Sequence, residues 1–193
     1  MNWLKECKCL IIRHNRWGIC VVHYRLAHFL YKGWRKYIGF PYLIYYHVFF
    51  RHIVGFDVHE AADIGDYFCP WHCFGISINP NVKIGHHFTI GQNTTIGQKG
   101  AHSPVIGNNV TISPGCNVIG NIVIGDNAVV GIGSVVVKDV PENCVVVGAR
   151  TDGADHLVWF GGGEDEHDML RRLLHDFQER VEALRRDHVG LVE

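Results

Sequence analysis

From Ile78 the chain sets an aliphatic residue every six positions, at Ile84, Ile90 and Ile96, and after a break at Ile106, Ile112, Val118, Ile124, Val130 and Val136. Gly85, Gly91, Gly97, Gly107, Gly125 and Gly131 follow directly, and Thr94, Val110, Cys116, Ala128 and Ser134 sit four places after their aliphatic residue. A period of six fits neither the 3.6 of a helix nor the 2 of a plain strand. It predicts a triangular solenoid in which each hexapeptide makes one face: the aliphatic side chain points inward, and glycine or asparagine, tolerant of positive φ, turns the corner. Three hexapeptides make a coil, and no coil is stable without its neighbours. The fold expected is mainly β: a left-handed parallel β-helix over residues 56–150, with an N-terminal α-helical cap (1–55) and a linker with a C-terminal amphipathic helix (151–193). A β-sandwich would require the in-phase aliphatics to arise by accident.

Two breaks in phase interrupt the pattern. Ile78 lies fourteen residues after Ile64, two more than two repeats, and that stretch holds Trp71, His72, Cys73 and Gly75. Ile106 lies ten residues after Ile96, four more than one repeat, with Lys99, Gly100, His102 and Ser103 between. Extra residues in a solenoid bulge outward as loops, and loops on a rigid scaffold are where sites concentrate.

The flanks follow other rules. Aromatic residues crowd 17–50, and Pro41 marks a boundary between two helices. Leu26, Phe29 and Leu30 have helical spacing, and Arg25, Arg35 and Lys36 are expected to solvate the opposite side. After Gly161-Gly162-Gly163, the residues Leu170, Leu174, Phe177, Val181 and Leu184 form a seam suited to a short coiled coil or to docking on the prism.

Composition narrows the class. The 193 residues carry a net charge of −1, which supplies no general drive toward nucleic acid, and a hydrophobic share of 47% excludes a disordered chain. No uninterrupted apolar run reaches the roughly 18 residues of a membrane span; the longest uncharged stretch, residues 100–125, is broken throughout by Gly, Asn, Ser and Pro. Seven cysteines, an odd number at irregular spacing, point to a reducing cytosol rather than a disulfide framework. Residues 1–55 hold nine Lys/Arg against the single acid Glu6, so a helical cap is expected there, with peripheral contact to a membrane as the alternative.

Candidate chemistry sits in the two insertions. His72, among Trp71, Cys73 and Phe74, is expected to be partly desolvated and suits a general base; the competing reading is a structural histidine in a turn. Asp57, fifteen residues earlier, would stack on a neighbouring coil and orient the imidazole. Fourteen histidines raise the question of metal, but paired four-ligand spacing is missing and no metal is expected.

Combined motifs carry a resemblance. Gly55-Phe56-Asp57-Val58-His59, His72-x-x-Gly75, Val118-Ile119-Gly120-Asn121-Ile122, Gly131-Ile132-Gly133-Ser134 and Val140-Pro141 are similar to segments of the serine O-acetyltransferase group of hexapeptide-repeat acyltransferases. The resemblance covers roughly residues 52–148. It implies acetyl-CoA as co-substrate and direct transfer, with His72 as base, Asp57 behind it and His102 as a second site histidine. It also implies CoA contacts at Gly97, Pro114, Gly115, Ile132 and Gly133, and a homotrimer or a dimer of trimers. Trp71, Ser103 and Gln92 are the candidate acceptor-binding residues, and either His102 or Ser103 faces the site. Trp71 stands where the family has an aspartate. The acceptor is therefore read as serine or a related small alcohol, with a sugar hydroxyl as the alternative, and a non-catalytic scaffold as the reading from another class.

Overall fold

A computed structural model describes residues 18–148 and the backbone of 158–160. The chain divides into two units, residues 1–159 and 160–193. The C-terminal helix expected after Gly163 lies outside the described residues.

Helix α1 (Gly18–Tyr31) is followed by the short helices α2 (Arg35–Ile38) and α3 (Phe40–Tyr45), and Pro41 stands in the first turn of α3. A π-helix, Tyr46–Ile53, continues directly, its wider turn marked by the Val54 N–H bonding to the Phe49 carbonyl. Short parallel strands then run from β1 (Phe56–Val58), β2 (Asp63–Ile64) and β3 (Cys69–Pro70) through repeated coils to β13 (Val135–Val136) and β14 (Val145–Val147). The strands between are β4 (Ile76–Ile78), β5 (Lys83–Ile84), β6 (Thr89–Ile90), β7 (Thr95–Gly97), β8 (Val105–Ile106), β9 (Thr111–Ile112), β10 (Asn117–Ile119), β11 (Val123–Ile124) and β12 (Val129–Val130). They stack as three sheets. The first face has the order β1-β4-β7-β10-β13, the second β2-β5-β8-β11, and the third runs from β3 through β6, β9 and β12 to β14. This is a parallel β-helix of triangular section.

Every aliphatic residue of the six-residue period, from Ile78 to Val136, is buried. The small residues four places later are buried as well, and Thr94 and Ser134 satisfy their hydroxyls on the carbonyls of Ser113 and Gly131. In the first coils those inward places hold large rings instead: Phe68 stacks on Phe56 at 6.4 Å and on Phe88 at 5.9 Å. The prism is therefore filled with aromatics beside the cap and with small side chains further along.

Register locates both insertions. Lys83 pairs with Asp63 twenty residues back, Val105 with Lys83 at twenty-two, and Val123 with Val105 at the regular eighteen. Comparing the faces confines the first extra pair to the corner between Pro70 and Ile76, and the extra four to the corner between Gly97 and Val105.

The cap closes the open end of the ladder. Along the strands each coil donates N–H groups to carbonyls of the next, as Asp63 N–H does to Val82 O, so first-coil carbonyls such as those of Val58, Ala62, Ile64 and Gly65 have no preceding coil to accept from. Side chains from the helices supply the donors. The Tyr24 hydroxyl reaches Ala62 O at 2.7 Å, the Tyr46 hydroxyl reaches Val58 O at 2.8 Å, and the Arg25 guanidinium reaches Ile64 O and Gly65 O at 2.5 Å each. His28 Nδ1 lies 2.8 Å from Glu60 O. This corrects the amphipathic reading of α1. Its buried face is Cys20, Val21, Tyr24 and Ala27 rather than Leu26, Phe29 and Leu30, and Arg25 is only 8% exposed because its charge is spent on edge carbonyls.

Candidate active site

One edge of the prism, where the third face turns into the first, gathers most of the expected site residues. Hydrogen bonds stack its corners. Trp71 N–H donates to Ile90 O, Asn93 N–H to Phe74 O, Gly115 N–H to Gln92 O, and Gly133 N–H to Pro114 O, all at 2.9–3.0 Å. The sequence Trp71–Gly75, then Gly91–Asn93, Pro114–Gly115 and Ile132–Gly133 thus forms a continuous column. Positive φ recurs along it at Gly75, Asn93, Gly115 and Gly133, which explains the glycine and asparagine there. Gly91 is required for another reason. A Cβ on it would lie 2.5 Å from Pro114 N and 2.6 Å from the Pro114 ring, so its corner can only rest on Pro114 without a side chain.

At the top of this column Trp71 and Phe74 are 45% and 50% exposed, His72 is exposed with them, and Cys73 turns inward. The two-residue insertion thus leaves His72 on the exposed side of the corner while Cys73 fills the core. The hydrogen bond to Cys20 of α1 pushes the Cys73 thiol up, and burial adds to it. Gln92 follows one coil below, and its Oε1 is buried without a hydrogen-bond partner.

Asp57 sits on β1, on the face adjoining that edge, in register with Ser77. Its carboxylate is held by a residue the sequence reading did not single out. Arg51 Nε of the π-helix lies 2.5 Å from Asp57 Oδ1, and Ser77 Oγ is 3.4 Å from Oδ2. Arg51 also touches His47 Nδ1 at 3.0 Å and Glu60 Oε2 at 3.5 Å. Beside this cluster, burial pulls the His59 pKa down, partly opposed by Glu60. The only sequence signal for Arg51 is its position six residues ahead of Asp57 on a helix that ends at the prism.

Gly97, His102 and Ser103 belong to a different edge, where the first face turns into the second. Lys99 and His102 close the four-residue insertion as a tight antiparallel bridge, with Lys99 N–H on His102 O at 2.9 Å. His102 is exposed, whereas Ser103 Oγ is buried without a partner. Gly97 is buried at the start of this loop, and its carbonyl accepts from Gly120 N–H at 3.1 Å. A single chain thus separates His102, Ser103 and Gly97 from His72, Gln92, Pro114, Gly115, Ile132 and Gly133 by the width of a face.

The third edge, between the second and third faces, is structural. Asn109, Asn127 and Asn143 adopt positive φ and bond side chain to side chain at 3.1 and 2.9 Å. Tyr67 and His87 continue the column with stacked rings 4.5 Å apart. Among the described residues no group of three His, Cys, Asp or Glu is arranged to hold a metal ion.

A triangular parallel β-helix with exposed polar insertions at its corners defines a hexapeptide-repeat protein. No family model matches the sequence. Individual relatives do. The chain is 33% identical to a serine acetyltransferase of Synechococcus elongatus over 185 residues, 89% of this chain and 71% of that protein. It is 37% identical over 152 residues to WcaB of Escherichia coli K12, whose name makes it a putative acetyltransferase of colanic acid biosynthesis; that match covers 72% of this chain and 93% of the relative. A serine acetyltransferase solved in complex with CoA superposes with a TM-score of 0.62 at 28% identity, over 73% of this chain and 56% of the solved one. The chain therefore spans little more than half the length of that structure. The protein belongs to the serine acetyltransferase-like family of hexapeptide-repeat acyltransferases.

Proposed function

We propose that this chain is an O-acetyltransferase that moves acetyl from acetyl-CoA directly to an acceptor hydroxyl. The His72 imidazole takes the hydroxyl proton as the oxygen attacks the thioester carbonyl. The C–S bond then breaks, and the proton passes from the imidazolium to the departing CoA sulfur. Corner N–H groups stabilise the tetrahedral oxyanion. Asp57 orients the imidazole, and Arg51 fixes Asp57 by holding one of its two oxygens. The observation that supports this reading best is the shared edge: the candidate base stands at the head of the same column of corners, Pro114–Gly115 and Ile132–Gly133, along which the thioester donor would lie.

The working unit of this reading is a homotrimer, with a dimer of trimers as the larger assembly. His72 and His102 lie on different edges of one prism, so a site that uses both draws them from two copies, and threefold closure gives each copy the same neighbours. A neighbour would also cover His72, which one chain leaves in water. A reducing cytosol, expected from the cysteine count, is the compartment proposed.

For the acceptor, the serine acetyltransferase relative favours serine or a related small alcohol. A sugar hydroxyl is the second reading. Exposed Trp71 and Phe74 flank His72 where an apolar ring face could stack, and Gln92 Oε1 offers a neutral acceptor to a hydroxyl. Free-thiol release from acetyl-CoA, followed with L-serine, L-homoserine and neutral sugars, tests the proposal. Turnover with at least one is expected, and the highest kcat/KM identifies the class. Thiol release no faster than without acceptor, for every alcohol, would leave the scaffold reading in its place.

A further inference from the structure

The outer side of the helical cap holds none of the candidate site residues, yet it carries a concentration of exposed apolar area. Trp34, Tyr37, Ile38 and Phe40 are 70%, 74%, 72% and 61% exposed. They come from one stretch around α2, interleaved with Lys32, Arg35 and Lys36. Beside them opens a groove of about 530 Å³ walled by Tyr37, Phe40, Ile44 and Val48, with Lys36 at its side; Glu60, also on it, is paired with Arg51 at 3.5 Å. Lys36 Nζ lies 5.2 Å from the Tyr37 ring centre, and the Arg35 guanidinium 4.1 Å from that of Phe29, so the cations are held next to the aromatics rather than away from them. Lys32 and Arg35 also border Asp63 and Asp66 on the other side. Between Gly18 and Ile53 the sequence holds five Lys/Arg and no acid.

We infer that this face docks on an anionic lipid surface. Trp34, Tyr37, Ile38 and Phe40 settle at the boundary of headgroups and acyl chains, and Lys32, Arg35 and Lys36 meet the lipid phosphates. Aromatic side chains with a polar tip suit that boundary, and basic side chains can bury their stems while their charge stays among the headgroups. Each cation near an anionic surface adds a screened attraction. A second copy of the chain is a poorer occupant, because a twofold contact through this face sets the same cations against each other. No helix among the described residues is long and apolar enough to cross a membrane, so the contact is peripheral.

Flotation of the full chain with phosphatidylcholine vesicles, with and without phosphatidylglycerol, tests this. Binding is expected only to the anionic vesicles and is expected to vanish in about 1 M salt. Exchange of Lys32→Glu with Lys36→Glu should weaken it on the order of a hundredfold, and Trp34→Ala with Tyr37→Ala should weaken it as well. Both double variants should melt at the temperature of the parent protein. Failure of the folded parent to float with anionic vesicles would overturn the inference, as would binding that neither double variant weakens. If Trp34→Ala with Tyr37→Ala instead lowers the mass of the oligomer without changing flotation, the face is occupied by a second copy and the inference fails.

Discussion

At the scale of single residues, the period of six reveals which positions face inward but not what the outward positions do. Ile78 through Val136 are buried as the spacing requires, because one side chain per hexapeptide must fill the prism. His72 could be found as an insertion residue, yet its exposure could not, since two added residues can turn either His72 or Cys73 inward. Arg51 was illegible for a different reason. Its contact with Asp57 depends on where a π-helix ends, and neither local propensity nor hydrophobic spacing encodes that. Arg51→Gln should lower kcat, leave KM for acetyl-CoA nearly unchanged and retain partial activity, because the shorter amide side chain could still donate to the carboxylate; a KM effect alone would make Arg51 a binding residue instead. Gly91→Ala has a structural effect rather than a chemical one. The added methyl meets the Pro114 backbone and ring, so a loss of about 1–3 kcal/mol is expected from overpacking, read as a lower denaturation midpoint in urea. An unchanged midpoint would mean that the corner column is looser than described.

At the scale of elements, α1 and the π-helix act as an end plate for the solenoid. Charge pattern misassigned Arg25 to the solvent side, because an arginine on a helix is usually solvated and only the orphaned carbonyls of a coil edge justify burying it. Arg25→Met removes a charged donor to Ile64 O and Gly65 O and should cost about 2–3 kcal/mol. The cap also sets a pH window. Burial pulls the pKa values of His23, His28 and His59 below the ordinary 6.5, so the unfolded chain binds more protons than the folded one at mildly acid pH. Their contribution is complete above 6.5 and is lost progressively as the pH falls below it. Tyr42, 2.6 Å from His23 Nδ1, has the opposite sign: burial pushes its pKa from 10 up to about 12, so stability declines as the pH rises past 10. Thermal midpoints should therefore be highest between about 6.5 and 10. His28→Gln should flatten part of the acid decline, and a midpoint that holds level from about pH 7 to 5 would contradict this account of the cap.

For the whole molecule, the two phase breaks map to two different edges of one prism, and this was legible only in part. Counting residues located both insertions correctly, because each excess over a multiple of six must leave the coil where it occurs. Counting could not assign edges to a common site, since that depends on neighbours outside the chain. Sedimentation equilibrium should give three times the 21.8 kDa chain mass, or six times in the larger assembly. A monomer with full activity would mean that one edge suffices and that His102 has no part in the reaction.

The most direct measurement is the pH dependence of thiol release from acetyl-CoA by the parent protein and by His72→Ala, with the best acceptor found. The account predicts that kcat/KM falls on the order of 100-fold or more in His72→Ala, with the thermal midpoint unchanged and the acid limb of the parent's pH profile lost. Retention of the parent's rate and pH profile by His72→Ala would show that the proton is taken elsewhere.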